Sequence, residues 1–260
     1  MKNVKFIALF SILCLLIVIP ATFAGNNDTA ILASDTIQND YSIAVNSSAG
    51  DNLADEYYFD ANAENDAGNG SYDNPYKELT STRVNDNSII HLANGEYEWD
   101  SFKGISNVSI IGQSAENTII RGVDGSGLRV SERLLLQNVT LVDFTISVNT
   151  GTQVNITNAV FKDSFSVSGG ALNIMANSTV SIDNCTFSNN SANEGGSIYA
   201  TNAFLIINNS RFIKSTARED AGGAIYLLKS SLNASNIEIV NSSATFGAAI
   251  TALKSNFFAK

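Results

Sequence analysis

Five times between Asn138 and Ile239 the chain writes an asparagine followed by alternating residues: "NVTL", "NAVF", "NCTF", "NSRF" and "NIEI". After a first interval of 20 residues, the starts at Asn158, Asn184, Asn209 and Asn236 fall 26, 25 and 27 apart. A glycine pair recurs at a similar interval, in "SGGALNI", "EGGSIYA" and "AGGAIYLL", with "FGAAITAL" as a weaker fourth. A period of this length marks a solenoid, whose unit cannot bury its apolar face alone and must stack. "NVSI" from Asn107 reads as an earlier, more divergent member.

Within one unit, "VSI", "CTF" and "GGSIYA" each alternate with period two. Alternation sends Val180, Ile182, Cys185, Phe187, Gly196, Ile198 and Ala200 to one side of the chain. One unit on, the same positions hold Leu205, Ile207, Ser210, Phe212, Gly223, Ile225 and Leu227. Three strands this short, without helical periodicity, predict an all-β parallel β-helix with three-strand coils of about 25 residues. Like strands then stack roughly 4.8 Å apart. Asn158, Asn184, Asn209 and Asn236 are expected to stack at one bend and hydrogen-bond along the ladder. The glycine pair supplies the corner before the third strand, its second member leaving room opposite the phenylalanine column.

The N-terminus reads differently. Lys2 and Lys5 precede an apolar run from Phe6 to Ile19 and a "PATFA" exit, the pattern of a secretory signal peptide over residues 1–24 cut after Ala24. An uncleaved N-terminal anchor is the alternative. Cleavage takes the net charge from −10 to about −12, a poor match for nucleic acid or anionic lipid. It also leaves Cys185 as the only cysteine, so no intrachain disulfide forms. Residues 25–56 have few apolar residues and no sustained period, and are expected to be a flexible linker. An N-terminal cap and first coils follow over 57–106, then β-helix repeats over 107–260, which stop mid-coil with an unpaired edge.

"GGAL" from Gly169, "GGSI" from Gly195 and "GGAI" from Gly222, together with "FSNN" from Phe187, resemble the GGA[ILV] and FxxN repeats of chlamydial polymorphic membrane proteins. They are still more similar to the adhesin-like surface proteins of methanogenic archaea. "YYFDANAENDAGNGSYDNPYKELTS" and "SIIHLANGEYE" resemble the opening of the β-helix in those archaeal chains. The resemblance implies a right-handed coil, a secreted or cell-surface location and adhesion to glycans or other cells. Ser164, Ser215 and Ser242 depart from the FxxN asparagine. Such chains are expected to continue into further repeats and an attachment module, so a truncated member is the expectation here.

Because many β-helices act on polysaccharides, a lyase or hydrolase is the alternative function, and a passive structural cell-envelope spacer the second. A hydrolase needs two converging carboxylates. Asp183 and Glu238 occupy different columns and do not pair. Arg218, Glu219 and Asp220 form an enlarged turn before Gly222. Tyr199 and Tyr226 share an outward column and are expected to form an aromatic stripe for sugar rings. Arg218, Asp220, Tyr199 and Tyr226 are therefore the candidate binding residues. No catalytic residue is assigned and a monomer is expected.

No cofactor is required, although calcium is a candidate ligand of Asp60, Asn62 and Asp66, whose oxygen-rich segment fails the EF-hand spacing. His91, the only histidine, is expected to face outward without a catalytic partner, and Cys185 to be a buried structural thiol. Asn177, Asn189, Asn208, Asn233 and Asn241 head glycosylation sequons away from the expected ladder.

Overall fold

The computed structural model describes residues 54–123 and 125–259. The signal peptide and most of the linker lie outside the described residues. The first strand, Asp55–Phe59, starts two residues before the expected fold boundary.

The described residues form a parallel β-helix with no helical element. Three columns of strands carry the coil. The first-strand column includes Gln153–Thr157, Thr179–Asp183, Phe204–Asn208 and Ser231–Ser235; each step is parallel and in register. The second-strand column is a seven-stranded sheet running from Gly95–Trp99 to Glu238–Val240. The third-strand column includes Thr145–Val148, Leu172–Ile174, Ile198–Thr201 and Ile225–Leu228. First and third columns share one fourteen-stranded sheet, because the long strand Gly127–Gln137 serves both. Two successive coils add a short fourth segment that three-strand coils did not anticipate: Ser191–Ala192 pairs with Thr216–Ala217.

Alternation fills the interior as expected. Val180, Ile182, Cys185, Phe187, Ile198 and Ala200 are buried, as are Leu205, Ile207, Ser210, Phe212, Ile225 and Leu227. The ring centroids of Phe161 and Phe187 lie 4.8 Å apart, and those of Phe187 and Phe212 4.7 Å apart, with planes within 5° of parallel. That spacing is the strand spacing itself, so ladder geometry sets the ring stack. In the last described coil the same columns open: Ile239 and Ile250 are half-buried and Phe257 is 42% exposed.

From Asn158 on, four left-handed residues turn each described coil. In one lap these are Asn184, Asn189, Gly195 and Asn202, with φ of 51°, 55°, 60° and 48°. Asparagine tolerates this region better than other residues bearing a Cβ, and glycine has no penalty there. The side chains then bond along the stack. Asn158 Nδ2 donates to Asn138 Oδ1 (2.7 Å), Asn184 Nδ2 to Asn158 Oδ1 (3.3 Å) and Asn236 Nδ2 to Asn209 Oδ1 (2.9 Å). The ladder breaks once, where Asn209 turns to Asp183 Oδ1 instead of Asn184.

Asn107 is not a member of this ladder. It bonds Asn87 and sits inside the long strand Phe102–Gly112, before the first-strand residues and at a different corner. The asparagine of FxxN also has a definite task. Asn190 is fully buried; its Oδ1 accepts from Ser164 N, and its Nδ2 donates to Phe161 O and Ser197 Oγ. It joins one coil to the next from inside.

The second glycine of each pair is small for a reason other than the phenylalanine column. A Cβ on Gly196 would lie 2.5 Å from Thr216 N and 2.7 Å from Thr216 C, the backbone of the next coil. Backbone cannot move aside as a side chain can. Gly196→Ala is expected to lower unfolding stability by more than about 2 kcal/mol in urea titrations. Gly104→Ala, where a Cβ meets nothing within 4 Å, should leave it unchanged or raise it slightly.

Candidate functional site

A polar groove lies outside the short fourth segment. At the corner leading into it, Asp163, Asn189 and Lys214 follow one another along the stack in left-handed conformations. Asn189 Nδ2 donates to Asp163 Oδ1 at 2.7 Å. The next outward positions are Phe165, Ser191 and Thr216, aligned by strand pairing. Phe165 is half-exposed in a column otherwise made of hydroxyl residues. Arg218 reaches back along the stack: its Nη2 donates to Ser191 Oγ at 3.1 Å, and its guanidinium carbon sits 4.5 Å from the Phe165 ring centroid. Together these side chains enclose a groove of about 360 Å³, with Asn190 beneath it.

Beyond the enlarged turn lies a second cluster. Glu219 N and Asp220 N both donate to Asn193 O, which holds the two extra residues out from the coil. Asp220 comes beside Glu194, and burial together with the Asp220 charge raises the Glu194 carboxyl above its ordinary range. Tyr199 and Tyr226 pair in register with centroids 5.5 Å apart and planes 5° from parallel. Both phenols are raised, chiefly by burial and then by the Glu194 carboxylate. The expected open aromatic stripe is therefore only half present. Tyr226 is 8% exposed, and the glycine corners pack against it, a Cβ on Gly222 falling 2.9 Å from Tyr226 Cβ.

The four candidate residues thus divide between two places. Arg218 belongs to the groove; Asp220, Tyr199 and Tyr226 belong to the cluster beside it. Sequence reasoning missed Phe165, Lys214 and the Glu194–Asp220 approach. An aromatic among Ser and Thr in one aligned column was the available signal for Phe165. Glu194 and Asp220 stand one register step apart, hidden by the two-residue enlargement.

The calcium candidates have other partners. Arg83 grips Asp66 with two bonds, Nη1 to Oδ1 at 2.8 Å and Nη2 to Oδ2 at 2.7 Å, and the amides of Lys77 and Glu78 add two more. Those bonds, Arg83 first, hold the Asp66 carboxyl at about 2. Asp60 Oδ1 accepts from Asn62 N, and Asn62 Nδ2 donates to Asn94 O. Among the described residues, no group of three or more acidic, histidine or cysteine side chains is placed to hold a metal ion.

His91 faces outward and stacks on Tyr58, centroids 4.5 Å apart, with Nε2 3.4 Å from Glu56 Oε2. Cys185 is buried, and burial pushes its thiol up to about 12. Of the sequon asparagines, Asn177, Asn233 and Asn241 are exposed and Asn208 is half-buried. Asn189 spends its amide nitrogen on Asp163, the same restraint expected for the ladder asparagines.

No family model, curated protein or solved structure matches the chain.

A carboxyl with a lowered folded pKa stabilises the fold above its unfolded value of roughly 3.9, and that stabilisation is lost as pH falls through the folded value. Arg83→Met should therefore cost about 1 kcal/mol at neutral pH, the pair being partly exposed. The difference from the parent should shrink as pH falls through about 2 and vanish below it, in urea titrations at stepped pH. Glu194 carries the opposite sign: its raised carboxyl makes the charged form unfavourable, so stability declines as pH rises through the carboxylate range. Glu194→Gln should raise the thermal midpoint at pH 7 and leave it unchanged at pH 3.

Proposed function

We propose that the chain is a secreted, adhesin-like surface protein that binds glycans along one side of its solenoid. The observation that carries this is the groove. A half-exposed Phe165 stands beside Asp163, Asn189, Lys214, Thr216 and Arg218, an apolar platform ringed by directional polar groups. Sugar recognition uses that combination, because a pyranose has apolar C–H faces and hydroxyls around its rim. The volume sits at the lower end of ligand pockets, suited to one or two sugar units rather than a folded partner. Three coils contribute to it, a length of roughly 10 Å along the stack at ~4.8 Å per coil. The repeat resemblance to methanogen adhesin-like proteins supports location and role by analogy.

Glu194 and Asp220 favour a second reading, a polysaccharide hydrolase. One carboxyl holds its proton to higher pH beside a second carboxylate, the asymmetry that acid–base cleavage requires. Both readings are tested together by incubating the purified chain with cell-wall and plant polysaccharides, recording bound protein and newly formed sugar ends. Binding without new ends, weakened about tenfold by Phe165→Ala, is the expected result. New ends that disappear in Glu194→Gln would replace adhesion with hydrolysis. Neither signal would sink both and leave a structural spacer.

A further inference from the structure

The charge of the groove runs against the charge of the chain. The protein carries 25 acidic and 15 basic residues, yet two cations and one carboxylate line the groove. Asp163 accepts a hydrogen bond from the Asn189 amide. Lys214 and Arg218 have no carboxylate within ion-pair distance among the described residues, whereas Arg83, Arg121 and Arg211 each hold one. Arg218 is positioned all the same, held by Ser191 on one side and by the Phe165 ring beneath. A guanidinium ordered by a hydroxyl and a ring, with no anion of its own, keeps fork donors free for an incoming one. Lys214 lies on the opposite wall, at an exposed corner.

Resting on the glycan reading of this groove, we propose that its ligand is a uronate-bearing polysaccharide, with one sugar carboxylate set between Lys214 and Arg218. The ring of that sugar lies toward Phe165, and Asn189, Thr216 and Asp163 take its hydroxyls. A planar carboxylate matches the Arg fork, and one negative charge balances the single positive excess of the lining. Neutral sugars would leave two cations without an anion. The acidic surface elsewhere lowers the affinity of a polyanion for the rest of the molecule.

The test titrates the full purified chain, by calorimetry, with three oligosaccharides of equal length: an oligouronate, its carboxyl-reduced neutral counterpart and a sulfated neutral chain. Expected is binding of the oligouronate at least tenfold tighter than either other. That preference should shrink between 20 and 500 mM salt. Lys214→Gln should weaken oligouronate binding about tenfold and the neutral chain by clearly less, at an unchanged thermal midpoint. Arg218→Lys, which keeps the charge but loses the fork, should also weaken the oligouronate. Equal affinity for the neutral counterpart would overturn the uronate assignment while the glycan reading survives. Equal or tighter binding of the sulfated chain would overturn it too. Binding to none of the three would overturn both.

Discussion

Everything in this molecule depends on one requirement: each coil must come back to its own register after a lap. The ladder partners of Val180 are Val154 and Leu205, and those of Ile198 are Leu172 and Ile225. If a lap ends one residue out, every inward side chain below it turns outward, because side chains alternate with period two. The corners secure that return. Asn184, Asn189, Gly195 and Asn202 place a left-handed residue at each bend of one lap. The amide ladder and the buried Asn190 then tie consecutive laps together. Length may vary only where a corner can bulge outward, as at Arg218 to Asp220.

The interior was legible in the chain for a plain physical reason. Inward residues obey two rules at once, alternation along a strand and likeness along a column, so Phe161, Phe187 and Phe212 declare themselves twice. Corner chemistry was half legible. The asparagines that follow a first strand could be aligned, but Asn107 carries the same "NV" signature at another bend, and local sequence does not distinguish the two. The role of the second glycine was not legible, since it concerns the backbone of the next coil, about 20 residues further on.

The surface was harder still, because nothing requires outward residues to repeat. Tyr199 and Tyr226 were correctly aligned, yet alignment carries no information about cover, and Tyr226 is covered. The groove gathers Asp163 to Phe165, Asn189 to Ser191, and Lys214 to Arg218, three coils whose proximity exists only once the stack is built. A rigid stack converts each departure from the repeat into a fixed feature at a known height. The extra turn residues and the outward Phe165 are such departures, and they fall side by side.

A crystal structure of the full chain grown with an oligouronate tests this account most directly. Sugar density in the groove, with its carboxylate between Lys214 and Arg218 and a ring beside Phe165, is the predicted result. Sugar bound on the opposite sheet, or at the Glu194 and Asp220 cluster with the groove empty, would contradict it.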